Sequence, residues 1–277
     1  MAIVAQTSRY GRISRATLAW IVGLLFFFPI FWMVLTSFKT DADAVKPEFL
    51  FFFTPTLENY LNMTENYDYW RFAINSVITS VFATIFTLIV GIPAAYAMAF
   101  NPSRGTKDIL MWMLSTKMLP AAAVLYPMTF LTKSMGLFDT HFLLIIVLSL
   151  INLPIVIWML FTYFKEIPKE IIEAGQMDGV NTWGEIKEIL IPLAWGGIAS
   201  TALLCFIFCW NEAYWTVRLT TTDAATLSKL IEGNRAPEGL FFGRLSAVSA
   251  AAVGPIVVLG WFCQKQLVQG LTFGAVK

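Results

Sequence analysis

Residues 142–164 read FLLIIVLSLINLPIVIWMLFTYF, a run without a charged side chain that is long enough to cross the hydrocarbon core of a bilayer. Similar apolar stretches occupy residues 18–37, 73–100, 109–131, 189–210 and 245–264. The chain is 57% hydrophobic and 13% charged, with a mean hydropathy of +0.68, which excludes a soluble globular protein. Because continuous runs are typical of helices and not of barrel strands, the sequence predicts an all-α polytopic membrane protein with six transmembrane helices.

The placement of basic residues predicts the orientation of these helices. With the N-terminus inside, the inner flanks collect Arg9, Arg12, Arg15, Arg104, Lys107, Lys165, Lys169, Lys187, Lys265 and Lys277. The other basic residues lie mostly in two long loops, which count for little in this rule. We therefore expect both termini in the cytoplasm: an N-terminal tail of residues 1–17, a six-helix domain of residues 18–266 and a C-terminal tail of residues 267–277.

Composition also narrows the function. A net charge of +1 without a basic block argues against a nucleic-acid partner. Cys205, Cys209 and Cys263 lie in predicted spans without a neighbouring histidine, so we expect no metal site and no cofactor in this chain. A phosphate-binding Gly-x-x-x-x-Gly-Lys-Ser/Thr run is absent from the sequence, so the chain cannot bind ATP by that route.

The one substantial inner loop, residues 165–188, is called the knob below. Pro168 suits the first turn of a helix over residues 169–177, and Gly179 can end that helix in a left-handed conformation. Thr182 with Glu185 three residues later predicts a capping box at the start of a second helix. The sequence therefore predicts a rigid helix-turn-helix protrusion. The alternative is a solvated amphipathic connector.

The order Glu173-Ala174-Gly175, then Gly179, then Ile189-Leu190-Ile191-Pro192 resembles the EAA loop of ABC importer permeases. Gly175 stands where that family usually has Ala, and Ile191 where it usually has Leu. The resemblance implies that this loop docks into a cleft on a cytoplasmic ATPase. The residues implied in coupling are Glu173, Ala174, Gly175, Asp178, Gly179, Thr182, Glu185 and Pro192.

The resemblance covers nearly the whole chain and is closest to the smaller, six-helix permease of carbohydrate importers. Trp210-Asn211-Glu212 and the tail at 264–272 carry it, and residues 117–120 and 270–277 resemble the polyol branch that imports sorbitol and mannitol. It implies a bacterial inner-membrane location, a second and different permease, and two copies of an ATPase subunit that bind ATP and Mg. It also implies an extracytoplasmic solute-binding protein, toward which the loop around 220–239 would reach.

Four polar residues in or beside the spans are candidates for a substrate pathway: Lys117, Asn152, Asn211 and Glu212. Lys117 lies well inside the third predicted span, where it could meet substrate hydroxyls or merely snorkel to the surface. Asn152, beside Pro154, could face a polar pocket or hold helices together. Asn211 and Glu212 are flanked by aromatic residues that suit either sugar stacking or an interfacial belt.

Small residues recur along the sixth span, and there we expect helix packing; they are Gly243, Ala247, Ala250, Ala251 and Gly254. Two other function classes compete with an importer subunit. An ion-coupled transporter would carry carboxylates inside its helices, and an intramembrane enzyme would need a nucleophile–base pair or a zinc motif. Because neither pattern is present within the predicted spans, the sequence favours a transport subunit and not an enzyme.

Overall fold

The computed structural model describes residues 9–46, 51–235 and 241–264. Every regular element in these residues is helical, which confirms the all-α prediction. In chain order the helices are α1 (Arg9–Ser37), α2 (Asp41–Ala44), α3 (Glu58–Asn66), α4 (Tyr69–Phe100), α5 (Thr106–Thr116), α6 (Ala121–Ser134), α7 (His141–Lys165), α8 (Lys169–Met177), α9 (Thr182–Gly184), a π-helical segment (Glu185–Leu190), α10 (Ile191–Leu193), α11 (Trp195–Trp210), α12 (Tyr214–Leu219), α13 (Leu227–Gly233) and α14 (Phe242–Phe262).

Four unbroken helices are long and apolar enough to cross a membrane; they cover Ile13–Ser37, Tyr69–Phe100, His141–Lys165 and Phe242–Phe262. Two helix pairs pass the same test only when each is counted as one bent span. These are α5 with α6, and the helical run Thr182–Leu193 with α11. Within the described residues the total is six if each bent pair crosses once, in agreement with the sequence.

The third predicted span, residues 109–131, is not one straight helix. α5 ends at Thr116, α6 begins at Ala121, and the two helices are bent by 85°. Pro120 accounts for the break, because proline lacks an N–H donor and disfavours helical backbone at the residue before it. The prediction that Lys117 lies inside a continuous span is therefore wrong. Lys117 is the C-cap of α5 and stands at the break.

The fifth predicted span also starts too early. Ala194, with φ −92° and ψ 9°, separates α10 from α11, and the helices on either side are bent by 86°. Residues 189–193 therefore continue the second helix of the knob, and the straight apolar helix starts only at Trp195. Hydropathy alone could not place this boundary, because the residues on both sides of Ala194 are apolar.

The chain divides into two compact units, one formed by Met1–Asp68 with Gly233–Val253 and the other by Tyr69–Glu232 with Gly254–Lys277. In the first unit the side-chain amide of Asn59 donates to two carbonyls at the end of α1, at 2.7 and 2.9 Å. A Cβ on Gly243 would lie 2.8 Å from the Lys39 carbonyl oxygen, and Ala247 is fully buried. Both residues thus support close packing by small side chains, whereas a Cβ on Gly254 would meet no described atom within 4 Å.

The second unit is built on α4, α7 and α11, each of which packs against the other two. Small side chains on α4 permit this approach: Ala83 and Ala95 are fully buried, and a Cβ on Gly91 would lie 3.1 Å from Val156 Cγ1. The fully buried Leu160 and Phe164 of α7 fill the space nearest the knob. This three-helix core carries the knob at one end.

Of the predicted N-terminal tail, residues 9–17 already belong to α1. The predicted C-terminal tail and the motif at 270–277 lie outside the described residues, as does most of the motif at 264–272.

Candidate coupling and substrate sites

The first helix of the knob, α8, has the predicted bounds and ends in a Schellman motif. Gly179 has φ +81°, the left-handed conformation that glycine adopts without strain. The Val180 N–H donates to the Gly175 carbonyl at 3.0 Å, and the Gly179 N–H donates to the Gln176 carbonyl at 3.0 Å. The turn between the two helices therefore has a single hydrogen-bonded geometry.

The predicted capping box is wrong. The N-cap of the second helix is Asn181, whose side-chain oxygen accepts from the Gly184 N–H at 2.9 Å. Thr182 is already the first helical residue, and Glu185 does not return to the backbone. Asparagine is as good an N-cap as threonine or better, so the helix begins one residue earlier than the Thr-x-x-Glu spacing indicated.

Glu185 instead forms a buried joint with the transmembrane core. Glu185 is only 3% exposed, and its carboxylate accepts a hydrogen bond from the Tyr96 hydroxyl of α4. Gln176 of α8 donates to the same oxygen at a longer 3.5 Å. One carboxylate thus connects α8, the π-helical segment and α4. No local sequence pattern indicates this partner, because 89 positions separate Tyr96 from Glu185.

Gly175 is buried and cannot face a partner directly. A Cβ at this position would lie 2.5 Å from Ile189 Cδ1, so the isoleucine side chain fills the space that an alanine methyl would need. Because the contacting atom is the end of a flexible side chain, alanine could be admitted by a rotation of Ile189. The Ile189 side chain thus fills the space left where Gly175 replaces the alanine of the family pattern.

The remaining predicted coupling residues, Glu173, Ala174, Asp178, Gly179, Thr182 and Pro192, are exposed. Two large apolar side chains that the sequence did not single out lie among them: Met177 is 88% exposed and Trp183 is 70% exposed. The knob therefore presents an apolar pair beside acidic side chains, which is the composition of a protein-binding surface. We call this surface, formed by Glu173, Ala174, Met177, Asp178 and Trp183, the knob face.

All four substrate-pathway candidates meet at one cavity. Lys117, Asn152, Asn211 and Glu212 line a space of about 530 Å³ together with apolar residues that include Phe208. A neighbouring space of about 340 Å³ shares Lys117 and Glu212. The break after α5 is what brings Lys117 to this cavity, so the residue is placed here by the bend that hydropathy missed.

Both the oxygen and the nitrogen of the Asn152 side-chain amide form hydrogen bonds at this cavity. Its oxygen accepts from Lys117 Nζ at 3.3 Å, and its nitrogen donates to the Leu148 carbonyl at 2.9 Å and to Cys209 Sγ at 3.4 Å. The residue is 3% exposed. Of the two roles considered for Asn152, helix packing is therefore evident, and the same side chain holds Lys117 at the cavity wall.

Glu212 and Asn211 lie where α11 ends. The Glu212 carboxylate accepts from the N–H of Trp215, in the first turn of α12, at 3.1 Å. Asn211 donates to the Ile207 carbonyl at 3.0 Å. Trp215 is only 7% exposed and lines the smaller space, so this ring is not part of an interfacial belt.

A family model described as "Binding-protein-dependent transport system inner membrane component" matches residues 91–271, which include the knob and the cavity. The chain belongs to this family. The permease is thus a transport component and not an enzyme.

Similar proteins extend over the whole length of the permease. A "Probable ABC transporter permease protein y4oR" from Sinorhizobium fredii is 32% identical over 100% of both chains. The "Trehalose transport system permease protein SugB" from Mycobacterium tuberculosis is 31% identical over 90% of this chain and 92% of its own. A crystal structure of a bacterial ABC transporter involved in import of the acidic polysaccharide alginate has a chain with the same fold, with a TM-score of 0.75, 23% identity and coverage of 96% and 99%.

The far end of the permease core, opposite the knob, holds a polar cluster that the sequence did not indicate. Asp139 lies between α6 and α7, and its Oδ2 accepts from the Thr221 hydroxyl at 2.5 Å, from the Thr222 N–H at 2.8 Å and from the Asp223 N–H at 3.1 Å. Its Oδ1 accepts from the Ala224 N–H at 3.1 Å. Partial burial opposes ionisation, but these donors outweigh it and hold the pKa of Asp139 well below its usual range.

The same segment is fastened to α4. The Asn75 amide donates to the carbonyls of Asp223 and Ala225, both at 2.9 Å, and Arg71 forms a 2.9 Å ion pair with Asp223. The Asn75 oxygen lies 2.8 Å from His141 Nε2, a residue to which the sequence assigned no role. Since the Asn75 nitrogen is committed to carbonyls, its oxygen faces the histidine, and His141 Nε2 is the donor.

Proposed function

We propose that this permease is one of two different permease subunits in an ATP-driven, binding-protein-dependent importer of a carbohydrate or polyol. Two copies of a separate ATPase would bind ATP and Mg, and an extracytoplasmic binding protein would deliver the solute. The observation that carries the proposal is the knob face, an exposed apolar and acidic surface on a doubly capped helix pair. We place this face, and both chain termini, on the cytoplasmic side.

The knob is suited to transmit force because three sets of hydrogen bonds fix its two helices. The Schellman turn fixes their angle, Asn181 caps the second helix, and Glu185 ties both to α4 through Tyr96. Closure of the ATPase dimer would push the knob face, and the Glu185 joint would pass that displacement to α4. Because α4 packs against α7 and α11, the helices around the cavity would tilt together.

The cavity supports a neutral, hydroxyl-rich solute. Lys117 supplies an ammonium with three donors and Glu212 a carboxylate acceptor, so the two charges of the lining cancel. Asn211 adds an amide, and Phe208 offers an apolar wall for C–H faces. The printed names of relatives, such as the trehalose permease and the "Trehalose/maltose transport system permease protein MalG" of Thermococcus litoralis, support a carbohydrate. The motifs at 117–120 and 270–277 favour sorbitol or mannitol within that class.

Uptake by reconstituted vesicles tests the solute class. The complex purified with its co-purifying subunits should take up radiolabelled sorbitol, mannitol, trehalose or maltose. Uptake should require ATP on the side of the membrane that carries the ATPase and the binding protein on the opposite side. Uptake driven by a sodium or proton gradient without ATP would instead establish the ion-coupled alternative. ATP-driven uptake confined to solutes without hydroxyl groups would refute the carbohydrate or polyol assignment.

The variant Lys117→Met tests whether the cavity binds the transported solute. Loss of a charge-assisted hydrogen bond should raise the KM for uptake by about tenfold or more, while the complex still assembles. Lys133→Met is the matched control, since Lys133 lies over the Phe138 ring and lines neither space. An unchanged KM for Lys117→Met in an assembled complex would exclude Lys117 from the pathway.

A further inference from the structure

A second cavity lies at the knob end of α4, α5 and α7, away from the substrate candidates. Its volume is about 370 Å³, and its apolar walls include Met98, Trp158 and Phe161. Its polar lining includes three cationic side chains, Arg104, Lys107 and Lys165, and no carboxylate. We call this space the basic groove.

The three cations lack acidic partners. Among the residues that the structure describes, none forms an ion pair with Arg104, Lys107 or Lys165. Lys165 Nζ instead lies 5.7 Å from the centroid of the Phe161 ring. Asp108 and Glu166 are adjacent in sequence to Lys107 and Lys165 but do not line the groove. Three positive charges without an ion pair around one groove attract an anion, and no described side chain in its lining supplies it.

The position of the charges relative to the apolar walls identifies the kind of anion. Lys165 is the last residue of α7, and Arg104 and Lys107 flank the start of α5, so all three stand where apolar helices end. Trp158 and Phe161 lie further back along α7, toward the apolar interior of that helix, and Met98 lies in the last turn of α4. The groove is thus charged at the helix ends and apolar beyond them, which matches a phosphate head group followed by acyl chains.

An inner-side excess of Lys and Arg is expected for any membrane protein of this orientation and needs no ligand. That rule determines which side of the membrane is rich in Lys and Arg, but it does not bring basic residues from distant parts of the chain to one apolar groove. Arg104 lies just before α5 and Lys107 in its first turn, whereas Lys165 is the last residue of α7, about 60 positions later. Their convergence is therefore a feature of the fold.

We propose that the basic groove binds one anionic phospholipid, with the phosphate among Arg104, Lys107 and Lys165 and an acyl chain along Met98, Trp158 and Phe161. Because Lys165 is both the last residue of α7 and the first residue of the knob, the bound lipid would brace the base of the knob. A soluble phosphate compound would gain the same charges but would leave the apolar walls exposed to water.

Native mass spectrometry of the intact purified complex tests this site. The complex is exposed to an equimolar mixture of phosphatidylglycerol and phosphatidylcholine with identical chains, and the retained lipids are counted. Wild type should retain phosphatidylglycerol with about tenfold preference or more, and the triple variant Arg104→Gln, Lys107→Gln, Lys165→Gln should lose most of that preference. The charge-conserving variant Arg104→Lys, Lys107→Arg, Lys165→Arg should keep it.

Two controls test whether the site needs a lipid and not a soluble phosphate compound, and whether cations elsewhere in the permease produce the same preference. The pair Lys133→Gln, Arg218→Gln removes two cations near the opposite end of α7 and should leave the preference intact. Glycerol 3-phosphate at millimolar concentration should not displace phosphatidylglycerol from wild type. Equal retention of both lipids by wild type, an undiminished preference in the triple variant, or displacement by glycerol 3-phosphate would each overturn the proposal. If the triple variant does not assemble, the wild-type preference and the displacement result still decide it.

Discussion

At the scale of single residues, Glu185 shows how a family motif can contain a side chain with a role of its own. Sequence spacing placed Glu185 in a capping box, and the structure places it against Tyr96, buried between the knob and the membrane helices. A carboxylate at such a position is stabilised only while its partners are present, since a buried unpaired acceptor carries the full cost of desolvation. Loss of either partner of this contact should therefore destabilise the folded permease.

Tyr96→Phe should destabilise the permease more than a surface substitution does. Removal of the hydroxyl leaves Glu185 with the distant Gln176 donor, and we expect the free energy of unfolding to fall by about 1–3 kcal/mol. The double variant Tyr96→Phe, Glu185→Leu should recover most of this loss, because both polar partners are then gone. Denaturation of the detergent-solubilised complex measures both effects, and strictly additive losses in the double variant would argue against the joint.

Stability and coupling can be separated in the same variants. If the joint transmits displacement, the double variant should remain folded yet transport less solute per ATP hydrolysed than wild type. A normal ratio of uptake to ATP hydrolysis in that variant would limit the Tyr96–Glu185 contact to a structural role.

At the scale of elements, the caps of the knob decide whether it is stiff. Asn181→Ala should weaken the start of the second knob helix by about 1 kcal/mol, because the Gly184 N–H loses its side-chain acceptor. Thr182→Ala is the matched control, and we expect it to change stability by less, since Thr182 does not cap the helix. Hydrogen exchange over residues 182–190 measures the difference. A larger loss of protection in Thr182→Ala would restore the capping box that the structure rejects.

The polar cluster around Asp139, at the end of the core opposite the knob, predicts that the stability of the 221–224 segment depends on pH. The folded pKa of Asp139 lies below that of an unfolded aspartate, so its ionised form stabilises the 221–224 segment above about pH 4. That contribution is lost only as the pH falls further, through the depressed folded pKa. Amide exchange of Thr222, Asp223 and Ala224, corrected for the intrinsic rate, should therefore stay slow at pH 5 and become faster only near pH 3 or below.

Asp139→Asn removes the charge at neutral pH and is the control for this assignment. It should speed exchange of the same three amides at pH 7, while the Arg71–Asp223 ion pair remains available. Equal protection in wild type and Asp139→Asn at pH 7 would show that the charge of Asp139 does not hold the segment.

Much of the architecture was readable in the sequence because its signals are local. Apolar length gave six spans, and Pro168 with Gly179 gave the bounds of α8 to the residue. The bends at 117–120 and at Ala194 were missed because hydropathy does not register a change of direction inside an apolar run. The Thr182–Glu185 spacing predicts a capping box, and this spacing does not reveal that Asn181, one residue earlier, caps the helix instead.

The candidate sites divide in the same way. The exposed residues of the knob could be named from their motif, whereas Met177 and Trp183 became candidates only when their exposure was seen. Lys117, Asn152, Asn211 and Glu212 were each found as isolated polar residues, and nothing in their spacing showed that they share a cavity. Contacts between residues far apart in the chain, such as Tyr96 with Glu185, depend on helix packing that sequence patterns do not encode.

At the scale of the whole molecule, the proposed importer divides its tasks between this permease and a separate ATPase. The permease has no phosphate-binding loop in its sequence, and its knob offers an exposed face to another protein. In the proposed function, work done by a separate ATPase would enter through the knob face and reach the helices around the cavity. Transport by the permease should accordingly depend on a partner that binds at Glu173 and its neighbours.

The most direct test is simultaneous measurement of solute uptake and phosphate release in vesicles that contain the complete complex, with wild type compared with Glu173→Ala and Gly179→Ala. We expect ATP-dependent uptake by wild type, and in both variants either loss of the ATPase during purification or ATP hydrolysis without matching uptake. Full uptake by the wild-type permease alone, without an ATPase, or by both variants at the wild-type ratio to ATP, would contradict this expectation.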